Sequence, residues 1–460
     1  AWRFNRIAGE RARDHYASVE ATGFFERAVD NARAVAESIP PVELAAAYEA
    51  LADVAMMSGR FELAREGLRG ARRLAVSDPL WMARLCCKEG RLCERQGRDG
   101  AAPRWFRRGL SALAAHDREI DRSGVDPVAV AAECGRLQAE WASFAIQRQK
   151  YRVGERRCRL ALEFARAGHD RSTEAHVYYL LEWAMSRLGD DQAYTYLDFA
   201  EPIYREIGDY VGLGSVLMNR GVGLIEFGDW PQAEERILAA RSAYERGGDV
   251  VMTAHAAFNL SEVYVDQGRH DEAAQLLRGA RRVFRSSGFA MGVAAATSAL
   301  GRVQARGGHT DDGLAMLAEA ESRFQQLGHQ PFLAETAVRV AEALVFGGRW
   351  HDALDRLDVL GDRAADGGPA IECTALRLRA LCAAGLGRVE EARAALRSLR
   401  DHATTVGVPW EGWYADVELA RLPGATRDER EVRAPEARRS LEARGVRLEQ
   451  VLPPPSVTAA

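Results

Sequence analysis

Lysine is nearly absent from this sequence, and neither sign of charge dominates it. Only Lys88 and Lys150 are lysines among 62 basic residues, and 66 acidic residues leave a net charge of −4. A phosphate-binding P-loop needs a lysine followed by serine or threonine. Because Glu89 and Tyr151 follow the two lysines, the chain has no P-loop. Without an excess of positive charge, we expect neither nucleic acid nor a membrane surface as a partner.

Long apolar runs and a disulfide framework are also missing. No stretch of about 18 apolar residues occurs, and the N-terminus lacks the basic-then-apolar layout of a signal peptide. The seven cysteines are an odd number spread over a long chain, so we expect reduced thiols and a cytoplasmic location. The chain begins at Ala1 inside an amphipathic pattern, and we interpret it as a fragment of a longer protein.

The motifs that mark catalysis or cofactor binding are absent. The sequence has no Gly-x-Ser-x-Gly elbow, no His-Glu-x-x-His, no Cys-x-x-Cys and no dinucleotide-binding glycine pattern. Cys86 and Cys93 share one predicted helix but lack the further ligands that zinc would need. We therefore predict that this chain is not an enzyme and binds neither cofactor nor metal. An enzyme would need catalytic residues brought together from distant parts of the chain.

What the sequence does contain is a repeat of about 40 residues. A turn glycine, followed by polar or aromatic residues and then a small residue, recurs at exact 40-residue steps at Gly228, Gly268, Gly308 and Gly348. The register extends to Gly387 on one side and to Gly189, Lys150, Gly97, Gly59 and the vicinity of Tyr16 on the other. These ten units are interrupted by an insertion at about 117–127, a polar stretch with turn-forming residues.

Each unit contains two segments with helical apolar periodicity, one before the turn glycine and one after it. No segment alternates apolar and polar residues as a half-buried strand would. The predicted fold is therefore all-α, a right-handed superhelical solenoid of about ten helix pairs. Small residues recur seven positions before the turn glycine and five after it, as at Gly221 and Ala233. We interpret them as the place where the two helices of a unit cross closely.

The spacing of small and large residues resembles the tetratricopeptide repeat consensus with lengthened helices. The resemblance is strongest to actinobacterial signal-transduction ATPases that combine a class III adenylate/guanylate cyclase domain, an AAA-type ATPase module and C-terminal tetratricopeptide repeats. It is carried by IAGERARDHYASVEA (residues 7–21), FFERA (24–28) and KEGRLCERQG (88–97). The resemblance implies a bacterial signalling or transcriptional regulator in which this region controls N-terminal modules.

Function in such an array is expected on the concave surface, which the first helix of each unit lines. The candidate binding residues on this surface are Tyr178, Glu182, Asn219, His255, Phe258, Asn259, Glu262, Arg302, Arg339 and Glu342. Glu262, Arg302 and Glu342 alternate in sign at 40-residue steps. Two interpretations stay open: ion pairs between repeats, each worth about 0–1 kcal/mol, or a groove for a polar ligand. By the resemblance, Asn219 and Asn259 stand where some peptide-binding repeats hold a ligand backbone.

Two functions fit these observations. The first is a non-catalytic scaffold that binds a protein or peptide partner, or a small-molecule effector, within a multidomain regulator. The second is a free-standing receptor with a peptide or small molecule in its groove. We predict that the repeats cover residues 1–422, including a capping helix at 410–422. A charged segment with a short helix at 423–452 and a disordered tail at 453–460 are expected to follow.

Overall fold

The computed structural model describes residues 1–14, 18–33, 38–75, 78–117 and 126–453. Within these ranges it contains 23 α-helices and no strand. The predicted all-α fold is therefore confirmed. The break near Tyr16, most of the insertion at 117–127 and nearly all of the predicted tail at 453–460 lie outside the described residues.

The helices belong to two compact units, Ala1–Gly208 and Asp209–Ala460. In the first unit, five helix pairs follow one another along the chain. They are α1 Trp2–Asp14 with α2 Ser18–Arg33, α3 Pro41–Met57 with α4 Phe61–Leu74, α5 Pro79–Arg95 with α6 Ala102–Asp117, α7 Pro127–Gln147 with α8 Tyr151–Ala167, and α9 Arg171–Arg187 with α10 Thr195–Ile207.

The second unit contains five further pairs and three more helices. The pairs are α11 Tyr210–Glu226 with α12 Trp230–Gly247, α13 Val250–Asp266 with α14 His270–Ser286, α15 Ala290–Arg306 with α16 Thr310–Leu327, α17 Gln330–Phe346 with α18 Trp350–Leu360, and α19 Pro369–Gly385 with α20 Val389–Thr405. The remaining helices are α21 Pro409–Arg421, α22 Ala434–Glu442 and α23 Leu448–Val451. Short connections make the two helices of each pair antiparallel neighbours.

Two helix boundaries near the start of the second unit form where a glycine is followed by an aspartate, at residues 228–229 and 248–249. Gly248 ends α12 with φ 73°, a left-handed conformation that favours glycine. The next residue, Asp249, caps α13 because its carboxylate accepts a hydrogen bond of 2.9 Å from the Met252 backbone N–H. In the first unit, two left-handed positions are held instead by Gln149 and His169, with φ 58° and 51°.

The predicted close crossing within a pair is present. Ala233 and Ile237 of α12 are fully buried, and a Cβ added to Gly221 of α11 would lie 2.5 Å from Ile237 Cγ1. In the next-but-one pair, the close approach is between the two backbones. A Cβ on Gly313 would lie only 2.6 Å from the carbonyl oxygen of Gly301. This contact explains why glycine replaces the usual alanine at position 313.

The end of the chain folds back onto the second unit. The ring of Trp410, at the start of α21, lies 6.2 Å from that of Trp230. Farther along, Arg444 Nε donates to the Gly228 carbonyl over 2.8 Å, and the backbone N–H of Arg447 donates to the Gln267 carbonyl over 2.9 Å. We call residues 426–453 the C-terminal strap.

Packing at the crossing makes a direct stability prediction. Leucine at position 233 would have to fit where the Ala233 side chain has no exposed surface, so Ala233→Leu is expected to destabilise the second unit by about 1–3 kcal/mol. The check is urea denaturation followed by circular dichroism. The matched control is Ala239→Leu on the exposed side of the same helix, for which a change within about 0.5 kcal/mol is expected. Equal effects of both substitutions would show that the crossing is not tightly packed.

Candidate functional site

The ten candidate binding residues lie on the first helices of their pairs but divide between the two units. Tyr178 and Glu182 belong to α9 of the first unit. The other eight belong to α11, α13, α15 and α17 of the second unit.

The candidates of the first unit are buried and already have partners within the chain. The Tyr178 ring stacks on Phe199 with 5.2 Å between centroids, and its hydroxyl accepts a hydrogen bond of 2.5 Å from Arg166 Nη2. Glu182 accepts from Ser186 Oγ over 3.1 Å. These contacts anchor both side chains within the fold, and a role for them in binding a ligand stays a prediction.

In the second unit, Arg302 of α15 connects the first helices of three successive pairs. Its Nε lies 2.7 Å from Glu342 Oε2 on α17, and its Nη1 lies 3.0 Å from Asp266 Oδ1 on α13. Glu262 Oε2, also on α13, is 3.9 Å from the same Nη1. The alternating charges that the sequence placed at 40-residue steps thus form ion pairs between repeats.

Two further arginines extend this set of ion pairs. Arg306 Nη2 lies 2.5 Å from Glu342 Oε1. Arg339 Nη2 lies 2.8 Å from Glu262 Oε2 and 2.5 Å from Glu335 Oε1. The whole set is called the inter-repeat charge network and comprises Glu262, Asp266, Arg302, Arg306, Glu335, Arg339 and Glu342.

Burial makes the electrostatics of the network uneven. The side chains of Arg306 and Glu342 are each only 4% exposed. Although burial alone would raise the pKa of Glu342, the charges of Arg302 and Arg306 hold it well below its ordinary value. For Glu262, burial raises the pKa above its ordinary value despite the neighbouring Arg339. Glu342 is therefore a permanently charged centre, whereas Glu262 is the weaker acid.

The network retains buried polar atoms without a partner in the described part of the chain. They are Glu262 Oε1 and Arg306 Nε, neither of which has a hydrogen bond. Buried polar atoms are nearly always hydrogen-bonded. These two atoms are therefore available to a water molecule or to a ligand that reaches the network.

The remaining candidates form a more apolar patch beside the network. The His255 ring packs against Phe284 and Phe289, with 4.8 and 5.1 Å between ring centroids. Burial lowers the pKa of His255, which favours the neutral ring. Phe258 packs against a buried cluster of the neighbouring pair. Asn259 Nδ2 donates to the His255 carbonyl over 3.1 Å.

Asn219 of α11 is partly exposed and lies one repeat before Asn259. The Asn259 amide also contacts Met218 Sδ at 3.7 Å, which brings the two asparagine-bearing helices together. The proposed contact of Asn219 and Asn259 with a ligand backbone stays a prediction.

Sequence reasoning missed three members of the network, namely Asp266, Arg306 and Glu335. A simple signal could have found all three. Asp266 and Arg306 follow Glu262 and Arg302 by four residues, and residues four apart share one face of a helix. Glu335 precedes Arg339 by the same step.

Helix α21 lies close to the network. Tyr414 is buried, and its pKa is raised first by burial and then by the charge of Asp266, while Arg377 and Arg306 oppose the shift. Charged residues of both α13 and α15 therefore affect the pKa of Tyr414. Arg377 is itself buried and pairs with Glu411 of α21 over 2.7 Å. Part of the polar surface of the second unit is thus covered by the chain itself.

Comparison with known families identifies the repeat at the start of the second unit. Residues 212–286 match the tetratricopeptide repeat family. These residues span the two pairs from α11 to α14. A search of curated proteins found no match.

Solved structures with a similar fold include regulators built from helical repeats. The apo form of the quorum sensor NprR from B. thuringiensis is 16% identical, with 78% of this chain and 98% of that chain covered and a TM-score of 0.48. NprR in complex with its cognate peptide NprX is 12% identical, with coverages of 76% and 90% and a TM-score of 0.43. A signal transduction ATPase with a tetratricopeptide repeat sensor from Pyrococcus horikoshii is 15% identical, with coverages of 70% and 49% and a TM-score of 0.44. Likenesses this distant carry no argument about ligands.

Among the described residues there is neither a metal-binding cluster nor a membrane-spanning helix. No cluster of three or more histidine, cysteine, aspartate or glutamate side chains is arranged to hold a metal ion. Among the helices in the described ranges, none is both long and apolar enough to cross a membrane.

The charge network makes a pH-dependent stability prediction. Glu342→Gln leaves Arg302 and Arg306 buried without their shared carboxylate, and we expect a loss of about 3–5 kcal/mol at pH 7. Because the pKa of Glu342 is lower in the folded chain than in the unfolded chain, its stabilising effect is full above the unfolded value of about 4.3 and declines as the pH falls below it. The difference between wild type and variant should therefore narrow in acid.

Denaturation of both proteins at pH 7 and pH 3.5 measures this difference. Glu319→Gln, on the exposed face of α16, is the matched control and should change stability by less than about 0.5 kcal/mol. A Glu342→Gln loss that is the same at both pH values would contradict the assigned ion pairs.

Proposed function

We propose that this chain is a non-catalytic scaffold that senses a peptide, a protein partner or a small polar effector through the first helices of its repeats. The observation that supports it is the continuity of the inter-repeat charge network. Arg302 touches Asp266 on one side and Glu342 on the other, so three repeats share one polar surface. A ligand with charged groups could exchange into these pairs.

The network also offers a way for binding to change the protein. Glu262 is the member whose charge is least stabilised, because burial raises its pKa. A ligand cation or hydrogen-bond donor that reaches its unpartnered Oε1 would favour the charged carboxylate and compete with Arg339 for it. Since Arg339 lies 77 residues along the chain from Glu262, the exchange would alter contacts between non-adjacent repeats. A ligand shifts the equilibrium between the paired and exchanged arrangements of Glu262 and Arg339 only if it binds one of them more tightly than the other.

A catalytic role is not proposed, for a reason of chemistry as well as of missing motifs. General acid–base catalysis near neutral pH needs a group whose pKa lies close to the working pH. Glu342 has its pKa held far below that range, and Glu262, whose pKa is raised, is held in an ion pair with Arg339. The arginines around Glu342 already form ion pairs with it.

By resemblance, we propose that the region serves a multidomain bacterial regulator in the cytoplasm. The stretches at residues 7–28 and 88–97 support this parent architecture, in which the output would be control of a cyclase, ATPase or DNA-binding module. The division into repeats at 1–422, a charged segment at 423–452 and a tail at 453–460 is kept as part of the same proposal. A free-standing receptor is the alternative that the first experiment separates.

Thermal-shift screening of the purified chain tests the proposal. The probes are a randomised peptide library and a set of small charged metabolites, and the expected result is a probe that raises the melting temperature. A soluble peptide or small molecule that raises the melting temperature favours the free-standing receptor, whereas a response to a protein partner alone favours the scaffold.

Variants then locate the binding site of any probe that responds. We expect the double variant Asn219→Ala/Asn259→Ala to bind that probe about tenfold or more weakly, because both amides lie on the first helices beside the network. Asn31→Ala in α2 of the first unit, where the partly exposed side-chain amide donates to the Arg27 carbonyl, is the matched control. Isothermal titration calorimetry gives the affinities. Equal affinity of all three proteins would place binding elsewhere and overturn the assignment.

A further inference from the structure

The C-terminal strap crosses the turns of three successive repeats in order. Arg444 bonds to the carbonyl of Gly228, in the turn between α11 and α12. Arg447 and Gln450 lie over Gly268, in the turn between α13 and α14, where an added Cβ would be 2.7 Å from Gln450 Cβ. Residues 448–453 then face the turn at Gly308, between α15 and α16. The strap therefore lies beside the equivalent turn in each of three successive repeats.

An acidic residue anchors the start of the strap. Glu429 Oε2 lies 2.6 Å from Arg393 Nη2, and Glu429 Oε1 lies 2.9 Å from Arg397 Nη2, both on α20. The Thr426 backbone N–H donates to the same carboxylate over 2.8 Å. Burial alone would raise the pKa of Glu429, but these donors lower it to about 2. The Arg393 side chain is only 3% exposed, so it depends on this carboxylate for charge balance.

Apolar side chains hold the rest of the strap. They lie at intervals along α22, the following turn and α23, and all are buried: Ala434, Ala437, Leu441, Val446, Leu448 and Val451. The strap thus has the composition of an amphipathic ligand, with one acidic anchor followed by a row of apolar contacts.

The contact beneath the far end of the strap is incomplete. An open pocket of about 410 Å³ lies between residues 448–453 and the turn at Gly308. Arg306, Arg421 and Phe346 line it, and Arg306 Nε has no hydrogen-bond partner in the described ranges.

We infer that the C-terminal strap is a built-in ligand of the second unit, and that it covers a docking surface for an acidic amphipathic peptide. The carboxylate of such a peptide would replace that of Glu429 on Arg393 and Arg397, and its apolar residues would replace those of α22 and α23. The strap and the peptide then compete for the same surface, and binding of the peptide displaces the strap. The inference does not depend on ligand binding by the inter-repeat charge network, because Arg393 and Arg397 are not members of it.

Binding of the strap as a separate peptide tests the inference. The probe is a fluorescently labelled synthetic peptide of residues 425–453, and the proteins are the full chain and a chain that ends at Gly424. We expect the shortened chain to bind the peptide about tenfold or more tightly than the full chain, whose own strap competes. Fluorescence anisotropy gives both affinities. Equal binding by the two proteins, or no binding by a shortened chain that circular dichroism shows to be folded, would overturn the inference.

The anchor is tested in the same assay with altered peptides. Glu429→Gln in the peptide removes the charge that Arg393 and Arg397 hold, and we expect binding to weaken about tenfold or more. Glu436→Gln is the matched control, because Glu436 lies on the exposed side of α22 and should bind as the unaltered peptide does. A peptide that tolerates both changes equally would contradict the acidic anchor.

If the shortened chain fails to fold, hydrogen exchange on the full chain tests whether the strap can detach. A displaceable strap is expected to open without unfolding the repeats, so the amides of α22 should exchange about tenfold or more faster than those of α19 and α20. Glu429→Gln in the full chain should accelerate exchange in α22 and leave α19 unchanged. Exchange of α22 only together with α19 and α20 would show that the strap belongs to the core, and the inference would fall.

Discussion

The close crossing of two helices, where no side chain larger than a methyl group fits, is the constraint on which the second unit depends. At Gly301 and Gly313 the backbones are so near that a Cβ on either would overlap the carbonyl of the other. A similar close approach occurs two pairs earlier, at Gly221, and it fixes how the two helices of a pair cross before the pairs stack. Side chains 40 residues apart, such as Arg302 and Glu342, are therefore brought within hydrogen-bonding distance.

Burying so many charges requires that every one be balanced by another. Glu342 is stabilised by Arg302 and Arg306, while Arg393 is stabilised by Glu429. A buried ion pair contributes little net stability compared with apolar packing, yet removal of one partner is strongly unfavourable. The consequence is that these pairs fix which repeats and segments meet. They also create surfaces on which a ligand of the right charge can compete.

The turn glycines have two physical roles in the second unit. The first is local, because Gly228 and Gly268 adopt left-handed φ angles of 72° and 78°, which side chains resist. The second is tertiary, because Trp410 covers Gly228 and Gln450 covers Gly268, leaving no space for a Cβ at either position. The turn at Gly308 has the same backbone but nothing within 4 Å of an added Cβ. The sequence repeat alone does not distinguish these turns.

The sequence by itself determined the helices, their turns and the residues at each crossing, since these depend on side-chain volume and on periodicity over a few tens of residues. It also located Glu262, Arg302 and Glu342 on one surface, though without Asp266, Arg306 and Glu335 as their partners. Only the tertiary structure decided that Tyr178 is held by Arg166 and that the chain end returns to Gly228, 216 residues before Arg444. The physical reason is that such contacts depend on the small angles between successive pairs, which accumulate over several repeats and leave no local pattern.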